Sequence, residues 1–182
     1  MYSCNDNTYS FEDVDYELLK DETLPSEAKM SKNKLGASVM IIVIGILNSI
    51  LPIMFDLDGE LDIVFLACGA LLVLCGIYFV IACINMKYTY DQYGFTRKSE
   101  IGKVRSYGYE DVKAAYFYSM INKKTGRVIS QGLNLVMDNG KNINIETKLS
   151  GGERMIAQML TKLDRSIVYN DHYCYKHDIK EL

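Results

Sequence analysis

Residues 35–84 read LGASVMIIVIGILNSILPIMF (35–55), DLDGELD (56–62) and IVFLACGALLVLCGIYFVIACI (63–84). Neither outer run contains Asp, Glu, Lys, Arg or His, whereas the seven residues between them carry four carboxylates and no base. Each run, of 21 and 22 residues, reaches about 31–33 Å as a helix, which matches a hydrocarbon core roughly 30 Å thick. A core helix of a soluble protein would keep a polar face, and these runs have no charged one. A cleaved leader is also excluded, because the first run starts only at Leu35 and follows an acidic rather than a basic stretch. Residues 35–85 are therefore expected to form a two-helix transmembrane hairpin with spans 35–55 and 63–84.

Flanking charge sets the orientation, since basic residues resist translocation. Lys29, Lys32 and Lys34 precede the first span and Lys87, Arg97 and Lys98 follow the second, while the connecting loop holds Asp56, Asp58, Glu60 and Asp62. Both termini are expected on the cytoplasmic side of the cell membrane. The loop lacks the spacing and the distal Glu of a calcium loop, so it reads as a short translocated turn.

Inside the spans the polar residues are mild: Asn48, Ser49 and Pro52 in the first, thiols in the second. An ion or proton path usually needs intramembrane charge, which argues for an anchor over a channel or transporter subunit. Gly45 stands four before Ser49, and Gly69, Gly76 and Cys83 stand seven apart. This small-residue spacing predicts a close helix seam, within the hairpin or between copies of the chain in a homo-oligomer. Pro52 is expected to kink or end its helix close to the interface.

Five cysteines, three of them in the second span and none in a CxxC pair, argue against a disulfide framework. The tail NDHYCYKHD places His172, Cys174 and His177 within six residues, and His172 and His177 are the chain's two histidines. They are the candidate metal ligands, one short of the four that a structural zinc site requires; the tail, 168–182, is expected to be partly ordered, and no cofactor is expected.

Charge separates three zones. Residues 1–34 hold four basic and eight acidic residues, the loop is net −4, and residues 85–182 hold sixteen basic and eleven acidic. The first zone has little apolar periodicity beyond a short helix around Phe11 to Lys20, so 1–34 is expected to be a mostly disordered acidic arm.

The segment after the spans alternates short β-rich runs with turn signals: KYTY, DQYG, FTRKSEI, GK, VRSYGY, a YEDV step, then KAAYFYSM. The excursion Ile121 to Gly132 precedes GLNLVM, the turn DNG and NINIETKL. Asn139-Gly140 predicts a tight primed turn. Leu133, Leu135 and Met137 share one face of the first arm, and Ile143, Ile145, Thr147 and Leu149 share one face of the second. Ser150 and Glu153 stand in the relation of a capping box. Met155, Ile156, Met159, Leu160, Leu163 and Ile167 then recur at helical spacing, with Arg154, Gln158, Lys162 and Arg165 off the stripe. Strands followed by one amphipathic helix make residues 86–167 a small α+β domain, large enough to fold alone.

YTYDQYGF, GKVRSYGYEDV and LNLVMDNGKNINI, set between two spans and a final helix, resemble the bacterial PH-like membrane proteins, the YcxB-like group among them. The resemblance covers about residues 35–175 and rests on a strand with a following Gly and aromatic (Tyr88 to Phe95), the Tyr109 to Val112 step and the last hairpin. It implies a PH-like bent antiparallel sheet capped by the C-terminal helix, held at the cytoplasmic membrane face. It carries over no catalytic residue. The acidic arm lies outside the pattern.

Four function classes follow. Absence of G-x-S-x-G, of a P-loop and of H-E-x-x-H, with histidines confined to the tail, argues against an enzyme. Glu110 and Asp111 read as the rim of a turn. The distal charge is modest and the tyrosines, among them Tyr88, Tyr90, Tyr107, Tyr109, Tyr116 and Tyr118, suit strands and cores, so no nucleic acid is expected. There remain a protein partner, gripped by an exposed sheet edge, and the lipid bilayer itself, with Lys123, Lys124 and Arg127 as candidate contacts to anionic headgroups. A solvated hairpin tip is the simpler reading of those three.

Overall fold

The computed structural model describes residues 9–21, 26–55, 59–122 and 124–170. The chain divides into two compact units.

The helical unit runs from Met30 to Lys87 and includes the segment Lys98–Val104. Helix α1 (Lys32–Phe55) and helix α2 (Gly59–Asn85) are both long and apolar enough to cross a membrane. Each extends beyond the uncharged run: α1 begins three residues earlier, and α2 takes in Gly59–Asp62, which the sequence assigned to the loop. The helices pack along small residues. Ser38, Gly45 and Pro52 are the buried positions of α1, and Gly69 and Gly76 are buried on α2 with Cys83 half-buried. Both series repeat every seven residues, the period of a left-handed helix pair. A Cβ on Gly45 would lie 2.9 Å from the Gly69 carbonyl oxygen, and one on Gly76 would lie 2.5 Å from Ile42 Cγ1. The seam is thus filled within the hairpin. Ser38 Oγ and Ser49 Oγ each donate to the carbonyl four residues earlier, Lys34 and Gly45, so neither hydroxyl is left dry. Pro52 neither ends nor interrupts α1, which continues to Phe55.

The second unit comprises the residues up to Lys29, Tyr88–Arg97 and the chain from Arg105 onward. One sheet has the order β1-β2-β3-β4, built from Glu27–Lys29, Lys87–Tyr90, Gly94–Lys98 and Val104–Gly108. The other has the order β7-β6-β5-β8, from Asn142–Glu146, Val128–Met137, Val112–Ile121 and Val168–Tyr169. In the second sheet Leu133 pairs with Ile145 and Leu135 with Ile143, antiparallel, and all four side chains are buried, as the alternation predicts. Four residues, 138–141, join β6 to β7, and Gly140 takes φ 76° in place of a two-residue primed turn. The expected excursion from Ile121 to Gly132 is half strand. β5 and β6 pair from Val112/Met137 to Ile121/Val128, leaving a loop of only six residues.

Helix α3 (Gly152–Leu160) lays Met155, Ile156, Ala157, Met159 and Leu160 against β6, β7, β1 and the 3-10 turn Tyr16–Leu19. It differs from the expectation at both ends. Ser150 does not cap it: the Ser150 backbone is occupied by Lys29, and Gly151, at φ 84°, precedes the first turn without a side-chain cap. At the other end Thr161 Oγ1 donates to the Gln158 carbonyl. Asp164 then accepts from Ser166 N–H and starts a separate 3-10 turn, Arg165–Ile167. Leu163 stays buried beyond the helix, and β8 pairs parallel to β5.

The acidic arm is likewise different from expectation over its described residues. β1 is the outer strand beside β2, Ala28 is fully buried, and Tyr9 packs edge-on to Phe117 at 5.4 Å while its N–H donates to Ser119 Oγ. Apolar Tyr9, Val14 and Ala28 supply the burial that the arm's charge conceals.

Candidate interaction surface

The surface with the most structure in the sheet-rich unit lies over β2, β3 and β4. It is built from Asp91. Asp91 Oδ1 accepts the N–H groups of Tyr93 and Gly94, its own N–H donates to the Gly94 carbonyl, and its carbonyl accepts Tyr109 Oη at 3.0 Å. This Asx turn, the reason a D-x-x-G run closes so tightly, tips Tyr93 outward until it is 77% exposed. Gly94 has no room for a side chain, because a Cβ there would meet the Tyr107 carbonyl. Phe95 stacks on Tyr107 at 5.2 Å and touches Tyr109 at 6.4 Å. Between them the strands enclose a shallow cavity of about 490 Å³, whose lining includes Tyr90, Tyr93, Tyr107 and the acidic Asp91 and Glu110.

Burial chiefly, with the negative charge of Asp91 second, pushes the Tyr109 phenol up to about 12. Burial also raises Tyr90, opposed by Arg154, and Tyr88, opposed by Arg97. These phenols are neutral structural groups at physiological pH. Tyr88 donates to the Asn144 carbonyl across the core, so it ties the two sheets together.

β4 is the outer strand. Ser99 N–H donates to Lys103 O and Tyr109 N–H to Tyr93 O, which sets the β3–β4 register. The hydroxyls of Thr96 and Ser106 therefore face each other at 3.0 Å as a non-hydrogen-bonded pair, and in such a pair the backbone N–H and C=O of Ser106 point away from β3. Arg105 and Ser106 are exposed. An open strand with outward backbone groups beside an aromatic ledge is able to take up an extended chain.

Lys124 and Arg127 are both exposed in the β5–β6 loop, whereas Lys123 lies outside the described residues. Asn122 organises the loop: its Oδ1 accepts the N–H groups of Lys124 and Thr125, and its carbonyl accepts that of Gly126, which sits at φ 65°. Beside the basic residues stand exposed Met120, Val128 and Ile129. The sequence reading passed over these three; the run VIS next to a basic turn was the available signal. Among the described residues no three His, Cys, Asp or Glu side chains come together as a metal site. His172, Cys174 and His177 lie outside the described residues.

No family model, curated protein or solved structure matches the chain. Its class is set by architecture alone: two long apolar helices joined to a small, sheet-rich α+β unit.

Proposed function

We propose that this is an integral membrane protein of the cell membrane. It crosses the bilayer twice, keeps both termini in the cytoplasm, and displays a PH-like domain that binds a partner protein by strand addition. The length of α1 and α2 and the uncharged runs 35–55 and 63–84 within them, with basic residues on both outer flanks and none at positions 56–62, support the anchor and its orientation. Two meanders, β2-β3-β4 and β5-β6-β7, followed by α3, support the PH-like reading. The observation that carries the binding role is the open β4 edge at Arg105 and Ser106, next to exposed Tyr93. Among the described residues nothing in the spans favours transport, and no nucleophile-base pair favours catalysis.

A photo-crosslinking amino acid at position 105 of the full chain, activated in native membranes, tests the proposal. A discrete protein adduct at 105 and none at exposed Lys113, which lies on β5 away from the edge, is the expected result. Adducts with lipid alone at position 105 would overturn it. A second reading, contact with anionic lipid through Lys123, Lys124 and Arg127, draws support from the exposed apolar Met120, Val128 and Ile129 beside them.

A further inference from the structure

The turn between β3 and β4 belongs to the helical unit. It is tightly made: Gly102 N–H donates to Ser99 O at 2.9 Å, Lys103 N–H to Ser99 Oγ at 3.1 Å, and Gly102 holds φ 84°. Glu100 and Ile101 form its apex. Tyr78 Oη of α2 donates to the Glu100 carboxylate at 3.2 Å, and Asn85 Nδ2, at the end of the same helix, donates to the Glu100 carbonyl at 3.1 Å. Tyr78 and Asn85 are seven residues apart, about 10 Å along the axis, so both bonds hold the apex alongside the last two turns of α2, where the helix carries no charged residue. Ile101 is left 68% exposed there, and Lys98 and Lys103 stand on either side of the apex.

We propose that the Ser99–Lys103 turn is a second, interfacial contact with the bilayer: Ile101 enters the boundary between headgroups and acyl chains, and Lys98 and Lys103 reach lipid phosphates. An exposed isoleucine pinned beside a spanning helix has hydrocarbon as its lowest-energy neighbour. Tyr78 is an aromatic within the last two turns of the helix, with a polar tip suited to the headgroup layer. Its bond to Glu100 satisfies the one carboxylate the turn brings to that level. Flanking lysines complete the arrangement, since their stems lie along apolar surface while the ammonium groups turn to the phosphates. The wedge rests on the reading that α2 spans the membrane. It fixes the polypeptide leaving α2 to the membrane at two points.

The chain contains no tryptophan, so single Trp variants of the full protein in liposomes containing brominated phospholipids report depth directly. Ile101→Trp is expected to fluoresce to the blue of Tyr93→Trp and to be quenched by brominated acyl chains, with Leu74→Trp, exposed on the middle of α2, quenched more strongly. Val104→Trp, at a second exposed apolar position of the same segment, is expected to lie between Ile101→Trp and Tyr93→Trp. Quenching at 74 with none at 101 or 104 would overturn the wedge and leave the spanning helix standing. Absence of quenching at 74 would overturn both.

Discussion

Lys29 and Ser150 exchange both backbone hydrogen bonds, at 3.0 and 2.8 Å across 121 positions of sequence, and so join the acidic arm to the entrance of α3. The exchange forces the chain into a left-handed residue at Gly151, φ 84°, where a Cβ would also strike the Glu27 carbonyl. Gly151→Ala is therefore expected to destabilise the protein by about 2–4 kcal/mol, the strain of a left-handed alanine plus a steric contact. Gly140→Ala is the comparison, because Gly140 has φ 76° with open space around it and carries only the backbone part, about 1–2 kcal/mol. Equal losses in denaturant unfolding of the two variants would mean that the arm does not press on Gly151.

A fragment spanning residues 86–182, which the sequence marks as a self-sufficient domain, lacks β1 and the Tyr9 contact. It uncovers Phe117 and the β2 edge. Loss of Tyr9 burial alone costs about 2 kcal/mol, so the fragment is expected to melt at lower temperature and to bind a hydrophobic dye. Joining residues 1–30 to residue 86 through a flexible linker is expected to restore a cooperative transition. A fragment as stable without the arm as with it would refute the docking of β1.

The hairpin of β6 and β7 was legible because two independent signals agreed there: strict alternation of Leu133, Leu135, Ile143 and Ile145, and a turn centred on Asn139-Gly140. The two long apolar helices were legible because forty-three uncharged residues stand in two runs of helix length. β1 was not. Glu27, Ala28 and Lys29 have no strand propensity, and the segment is recruited by backbone bonds to Ser150 and by burial of one alanine, neither of which leaves a periodic trace. The same recruitment explains the failed capping box, since a Ser-x-x-Glu spacing is silent about a competing strand. Of the candidate surface, Gly94 and Asp91 announced a turn, but which strand lies outermost is a property of sheet order, and residues 85–110 alone do not specify it.

Gly69 is the tightest point of the helix pair, its ideal Cβ overlapping Ser49 Oγ and lying 2.7 Å from the Gly45 carbonyl oxygen and 2.9 Å from Ser49 N. Gly69→Ala is expected to part the helices and to cost about 1–3 kcal/mol as overpacking. Gly36→Ala, with nothing within 4 Å, is expected to be neutral or to stabilise by up to about 1 kcal/mol through helix propensity. Unfolding in mixed micelles by added sodium dodecyl sulfate measures both. If Gly69→Ala behaves as Gly36→Ala does, the small-residue stripe is not the contact that holds α1 to α2.

Tyr109 gives the sheet-rich unit a defined alkaline weakness. Its folded pKa, pushed up to about 12 from an ordinary 10, favours the neutral phenol in the folded state. Between those values the unfolded chain releases this proton first, so its contribution to stability is intact below pH 10 and is lost as pH rises towards 12. The loss is of the order of 2 kcal/mol. Burial raises Tyr9, Tyr88, Tyr90 and Tyr118 in the same direction, so the wild-type slope is steeper than one tyrosine provides. Tyr109→Phe isolates the contribution: it gives up the hydrogen bond to the Asp91 carbonyl, about 1 kcal/mol at neutral pH, and flattens the fall in stability above pH 10. An unchanged slope in the variant would show that Tyr109 ionises as freely folded as unfolded.

Ser106 separates the integrity of the sheet from the proposed strand addition at its edge. Its N–H points away from β3, so Ser106→Pro removes a donor that takes no part in the β3–β4 pairing, and proline is tolerated on outer strands for that reason. The variant also loses the hydroxyl facing Thr96, a loss shared by Ser106→Ala, which keeps the outward N–H. Both variants are expected to unfold within about 1 kcal/mol of wild type. Only the proline variant is expected to lose the protein adduct formed by a crosslinker at position 105, because strand addition depends on main-chain hydrogen bonds at that edge. Retention of the adduct in Ser106→Pro would exclude strand addition and shift attention to the ledge of Tyr93 and Tyr107. Loss in both variants would instead place the hydroxyl in the contact.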